Sequence, residues 1–141
     1  MPVRESEARW EGTLLEGSGV IKVGTGFHGG RCSFPSRFAS ALGTNPEELI
    51  GAAHAGCFSM ALSAGLTEAG FPPEEIHTRA KVHLEKIETR YWITRIELDT
   101  EARVPGIGER IFQSEANKAI QRCPVSRALA GTKISQRSRL I

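Results

Sequence analysis

Three cysteines and one nearby histidine are the residues of this chain whose chemistry stands out. Cys57 lies in the middle of an uncharged run, Leu49 to Leu66, with His54 three positions before it. Cys123 stands directly before Pro124, and Cys32 lies apart near the N-terminal third. A thiol is a nucleophile only as its thiolate, so what matters is which of these sulfurs has its pKa lowered. A residue before proline avoids the helical region, and proline itself opens helices well. Cys123 is therefore expected at the start of a short helix, Pro124 to Ala130, whose N-terminal dipole favours thiolate. The competing reading is that Cys123 only completes an apolar stripe with Ala119 and Ile120. Cys57 carries the same ambiguity, because free cysteine most often behaves as a small buried hydrophobe. Cys32 has no helix end or partner motif beside it and reads as structural or incidental.

Other chemistries are less well supported. His54 and Cys57 share a helix face, which allows a Cys-His nucleophile for acyl transfer or hydrolysis. A lone histidine on an apolar helix is more often a satisfied core residue. No CxxC, HxxxH or second tight pair gives zinc spacing, so metal binding through His54 and Cys57 is only weakly supported; a thiol cycle requires no metal and no organic cofactor, and none is expected. The glycine-rich stretch Thr25 to Arg31 reads as a loop and lacks the GKS or GKT of a phosphate-binding motif.

The elements that must position these groups follow from pattern. Asn45-Pro46-Glu47-Glu48 is a helix start, with Asn45 as N-cap, Pro46 at the first helical position and acids in the first turn. The helix runs past Cys57 to about Ala69, with Gly70 as C-cap and Pro72-Pro73 as the stop. Its 18 uncharged residues, Leu49 to Leu66, just reach membrane-spanning length. They are rich in Gly, Ala and Ser, contain His54 and lack aromatic anchors, so a core helix packed closely on a partner helix is expected. Residues 8–16 and Val20 to Val23 read as a hairpin turned at Gly17 and Gly19. Cys32 to Pro35 reads as a short strand, with Ser36-Arg37-Phe38 leading into a loop. Arg79 to Glu88 and Tyr91 to Val104 alternate as antiparallel strands joined at Thr89-Arg90. Gly108 to Arg122 is a second helix, with Phe112, Ala116, Ala119, Ile120 and Cys123 on one face. Thr132 to Ile141 reads as a last edge strand.

That order predicts an α+β fold, an antiparallel sheet covered on one side by helices, in one domain spanning residues 1–141. A helix apolar all round needs more cover than so small a sheet gives, which points to an obligate homodimer. A net charge of +2 and the lack of basic clusters interleaved with aromatics predict no nucleic-acid partner. The N-terminus has no apolar signal segment. Three scattered thiols fit a reducing, cytoplasmic setting without a membrane partner.

Thr44 to Leu62 (TNPEELIGAAHAGCFSMAL) together with Asn117 to Leu129 (NKAIQRCPVSRAL) resembles the osmotically inducible protein C (OsmC) family, which is related to organic hydroperoxide resistance proteins. The resemblance covers both cysteine motifs, Ser36-Arg37-Phe38 and the element order. It implies an intertwined homodimer with two interface sites and a thiol-dependent peroxidase acting on organic hydroperoxides. It also implies Cys57 as peroxidatic and Cys123 as resolving cysteine, Arg37 and Glu48 as the charged pair that activates the thiolate, and an external dithiol, a lipoyl group among them, as reductant. An apolar pocket drawn from Ile50, Phe38, Phe58 and Met60 would suit alkyl hydroperoxides. Glu48 and Cys57 are nine residues apart, about 900° of turn, so they face opposite sides of a straight helix. Glu48 is thus expected to serve the site of the second subunit.

Overall fold

The computed structural model describes residues 2–24 and 29–141. Thr25 to His28 of the expected glycine-rich loop lie outside the described residues. The chain forms two compact units, Met1–Leu49 and Ile50–Ile141.

The first unit holds a three-stranded antiparallel sheet in the order β1 (Ser6–Glu11), β2 (Ser18–Val23), β3 (Gly29–Cys32). The predicted hairpin forms, but its turn is residues 12–17. Gly12, at φ +95°, opens that turn in the left-handed region that glycine enters freely. Gly19 lies inside β2 opposite Trp10, not in the turn. A Cβ there would come within 2.8 Å of the Trp10 ring and 2.9 Å of Cys32 Sγ, so this glycine lets side chains of β1 and β3 meet across β2. Gly29 to Cys32, expected as loop and strand start, is β3. Ser33 to Phe38, expected as strand and loop, instead gives a short helix, α1 (Phe34–Phe38). Ser33 and Ser36 cap it reciprocally, each side chain accepting the other's backbone N–H. That serine pair is the signal the strand reading missed.

The long helix α2 (Pro46–Glu68) begins where expected. Asn45 Oδ1 accepts the Glu48 N–H at 2.7 Å, and Asn45 Nδ2 donates to the Ser36 carbonyl. It ends in a left-handed Gly70 (φ +96°), with the Phe71 N–H bonded to the Leu66 carbonyl. By length and composition α2 could cross a membrane. One of its stripes nevertheless fills the core of the second unit: His54, Phe58, Leu62 and Leu66 are fully buried. The opposite stripe, Ala52, Ala53, Gly56, Met60 and Ala64, is exposed in the single chain, so the expected all-round burial is not met within one copy.

The second unit's sheet runs β4 (Glu75–Ile87), β5 (Arg90–Arg103), β6 (Lys133–Leu140). β4 and β5 pair antiparallel through a two-residue turn at Glu88 and Thr89. β6 is an edge strand as expected but pairs parallel to β5, so this sheet is mixed rather than antiparallel. The reason is connectivity: α3 (Glu109–Arg122) and α4 (Pro124–Ala128) intervene and return the chain to the end of the sheet from which β5 starts. Alternate residues of β5, Ile96, Leu98, Thr100 and Ala102, are buried against Phe58, Leu62, Phe112 and Ala116 of the helices. Gly51 lets α2 sit close on β4, since a Cβ there would come within 3.3 Å of Val82 Cγ2. A hydroxyl chain, Ser59 to Thr78 (2.7 Å) to Thr100 (2.9 Å), ties α2 to both strands.

Candidate functional site: a thiol pair and an arginine clamp

The second unit brings Cys57 and Cys123 together. α3 ends at Arg122, Cys123 takes extended backbone (φ −61°, ψ 118°), and Pro124 starts α4. This break places Cys123 Sγ 2.8 Å from Cys57 Sγ. A disulfide needs about 2.05 Å, so the two sulfurs are unbonded but close, and a small side-chain movement would join them. Cys123 is fully buried, whereas Cys57 is half-buried. Cys57 opens onto a groove of about 740 Å³, lined also by Ala53, Gly56, Met60, Arg122 and Pro124.

The two sulfurs sit in different electrostatic settings. Burial, then the Cys123 hydrogen bond, pushes the Cys57 thiol up, with the Val125 N–H working against both. Burial also opposes ionisation of Cys123, but hydrogen bonds from the Cys57 thiol, the Ser126 N–H and hydroxyl, and the Val125 N–H outweigh it, and its pKa is lowered. When the pair loses one proton the remaining one lies between the two sulfurs, with the charge held better at Cys123.

His54 does not face Cys57 as a base. Its Nε2 is 2.7 Å from Ser126 Oγ, and burial lowers its pKa, so the imidazole is neutral. The Cys57-His54 acyl-transfer arrangement considered from sequence is not formed.

The arginine belongs to the first unit. Arg37 donates from Nε to both carboxylate oxygens of Glu47 (3.1 and 3.3 Å) and from Nη2 to Oε1 (2.9 Å). The guanidinium also lies 5.2 Å over the Phe38 ring. The sequence expectation gave the clamp to Glu48, serving the site of a second subunit; within one chain the partner of Arg37 is Glu47. Glu48 is exposed and its carboxylate accepts from Thr44 Oγ1 at 3.3 Å. Adjacent helix positions differ by about 100°, so only Glu47 turns toward α1. The first-turn acids were legible, but which one faced inward depended on how α1 packs. Arg37 and Phe38 line an apolar cavity of about 290 Å³ with Trp10, Cys32 and Phe34.

The OsmC-like protein family model matches residues 39–137. The chain belongs to that family. It is 46% identical over 127 residues to the peroxiredoxin OsmC of Escherichia coli (strain K12), covering 89% of each chain. It is 32% identical over 94 residues to an organic hydroperoxide resistance protein of Xanthomonas axonopodis pv. citri (strain 306), covering 66% of this chain and 64% of that one. Among solved structures, an organic hydroperoxide resistance protein from Elizabethkingia anophelis superposes with a TM-score of 0.71 at 26% identity, covering 98% and 99% of the two chains. The α+β fold read from the sequence is the fold of these OsmC-like relatives.

Of the four pocket residues expected in this OsmC-like chain, Met60 alone lines the Cys57 groove. Phe58 is core, Ile50 packs on that core, and Phe38 belongs to the cavity of the first unit. Cys32 is half-buried at the end of β3. Residues 54 and 126 form the contact that sequence reading missed. The Cys-Pro-Val-Ser run contained the serine, but no spacing rule pairs it with a histidine 72 positions earlier.

Proposed function

We propose that this chain is a thiol-dependent peroxidase that reduces organic hydroperoxides to alcohols. The peroxidase role rests on its family and on its 46% identity to a peroxiredoxin. The observation that supports the cysteine chemistry is the 2.8 Å approach of the two sulfurs at a largely apolar groove.

Cys57 attacks as thiolate on the distal oxygen of ROOH. The O–O bond breaks, the alkoxide takes a proton and leaves as ROH, and Cys57 becomes a sulfenic acid. Cys123 attacks that sulfur, water departs, and a disulfide joins the pair. An external dithiol, of which a lipoyl group is one form, reduces it. Burial and the Cys123 hydrogen bond both work against ionisation of Cys57, so the mechanism needs a cation. We assign that role to Arg37, a permanently charged fork, held by Glu47 in place of Glu48. A second copy of the chain, forming a homodimer, would cover the exposed Gly56 and Met60 stripe of α2 and wall the groove; we assign the chain to the cytoplasm, where a disulfide made in turnover is transient.

The experiment is turnover of cumene hydroperoxide with dithiothreitol. Wild type consumes it and Cys57→Ser does not. A Cys57→Ser protein that still turns over at the wild-type rate removes the mechanism.

A further inference from the structure

His54 and Ser126 form a buried pair that the peroxide cycle above does not use. His54 is wholly buried and Ser126 is 8% exposed. Nε2 and Oγ are 2.7 Å apart, while Nδ1 is buried without a hydrogen-bond partner among the described residues. The bare nitrogen fixes the direction of the hydrogen bonds. An orphaned buried N–H is rarer than an orphaned lone pair, so the proton of the neutral ring belongs on Nε2. Nε2–H then donates to Ser126 Oγ, and the Ser126 hydroxyl is free to donate onward. Cys123 stands three residues before Ser126, at the start of the same short helix, with its Sγ 2.8 Å from Cys57 Sγ. His54 and Ser126 thus lie behind Cys123, and Cys57 lies in front of it at the groove.

We propose that this arrangement sets the direction in which the disulfide is reopened: the reductant attacks Cys57, and Cys123 leaves as a thiolate held by Ser126, with His54 as the positioning residue behind it. The inference rests on the disulfide of the proposed cycle. Access and leaving-group stability point the same way. Cys57 borders the open groove and Cys123 is sealed behind it. In exchange the better leaving group is the sulfur that carries charge more easily. The balance is complete with a dithiol. Its thiolate forms a bond to Cys57 Sγ, the Cys57–Cys123 bond breaks, and the electron pair leaves on Cys123. The second thiol of the reductant, as thiolate, attacks its own sulfur in the mixed disulfide and releases Cys57 as thiolate, which solvent protonates.

The test uses the full chain carrying Cys32→Ser, with the disulfide made by diamide so that the answer does not depend on peroxidase turnover. Glutathione in excess, followed by acid quench and peptide mass spectrometry, should place the mixed disulfide on Cys57. Ser126→Ala and His54→Leu should slow reduction by glutathione about tenfold, the loss of one hydrogen bond to a charged group. Ser126→Thr and His54→Gln, which keep the hydroxyl and the N–H donor, should restore most of the rate. In a Cys57→Ser background, Ser126→Ala should move thiolate absorbance at 240 nm to higher pH, a shift that loss of packing alone does not produce. An adduct on Cys123, failure of diamide to join the pair, or an unchanged rate in a folded Ser126→Ala protein overturns the proposal. Loss of peroxide turnover with the adduct still on Cys57 would count against the peroxidase reading alone.

Discussion

Replacing Glu47 by Gln tests the arginine clamp directly. The substitution keeps volume and removes the charge that Arg37 grips through three contacts of 2.9 to 3.3 Å. Glu47 is the buried partner, with its side chain 9% exposed against 37% for Arg37. Breaking a wholly buried pair costs about 3–5 kcal/mol, and an exposed one about 0–1 kcal/mol. With one partner buried and the other partly wet, the cost is about 2 kcal/mol. For a chain of this length each kcal/mol lowers Tm by about 4 °C, so Glu47→Gln should melt about 8 °C below wild type. Glu48→Gln loses only a long bond to Thr44 and a carboxylate at the helix start, about 0.5 kcal/mol. Thermal melting of the two variants by circular dichroism, in parallel with hydroperoxide turnover, gives the comparison. Glu47→Gln should also be the variant that loses turnover, by tenfold or more, since it releases the guanidinium. If Glu48→Gln is equally damaging in either assay, the clamp has been assigned to the wrong carboxylate.

Burial lowers the pKa of His54, so the unfolded chain binds this proton first. Its contribution to stability is fully present above the unfolded value of about 6.5 and is lost as pH falls from there toward the lower folded value, with a slope of at most about 1.4 kcal/mol per pH unit. Urea titrations below pH 6.5 should show this slope in wild type and not in His54→Gln; equal slopes would remove the buried neutral imidazole. Phe58→Ala should cost about 3–5 kcal/mol, because the ring is fully buried among Leu62, Leu98 and Phe112, and a denaturation midpoint close to wild type would contradict that core. Gly56 has open space around its Cα within one chain, so Gly56→Leu should fold normally. Light scattering should then show a dimer for wild type and a monomer for the variant, and a monomeric wild type would end the two-copy arrangement. Cys32→Ser should leave hydroperoxide turnover intact, and its loss would require a role for the third thiol.

Local chemistry was legible in the sequence wherever one residue decides one conformation. Asn45-Pro46 started the long helix and Gly70 ended it, because a cap or a left-handed glycine acts within a turn. Pro124 forced the break that exposes Cys123 Sγ to its partner. Alternation gave β4 and β5, because the strand period is a property of the chain itself. The two cysteine motifs carried the family. Tertiary packing decided what depends on distant partners. Nothing in the acids at 47 and 48 says which one faces α1, since one helical step separates inward from outward. The direction of β6 followed from where α3 and α4 return the chain, not from its own pattern. The pairing of His54 with Ser126 exists only because α2 and α4 bring these two buried side chains within reach of each other, 72 positions apart in the chain.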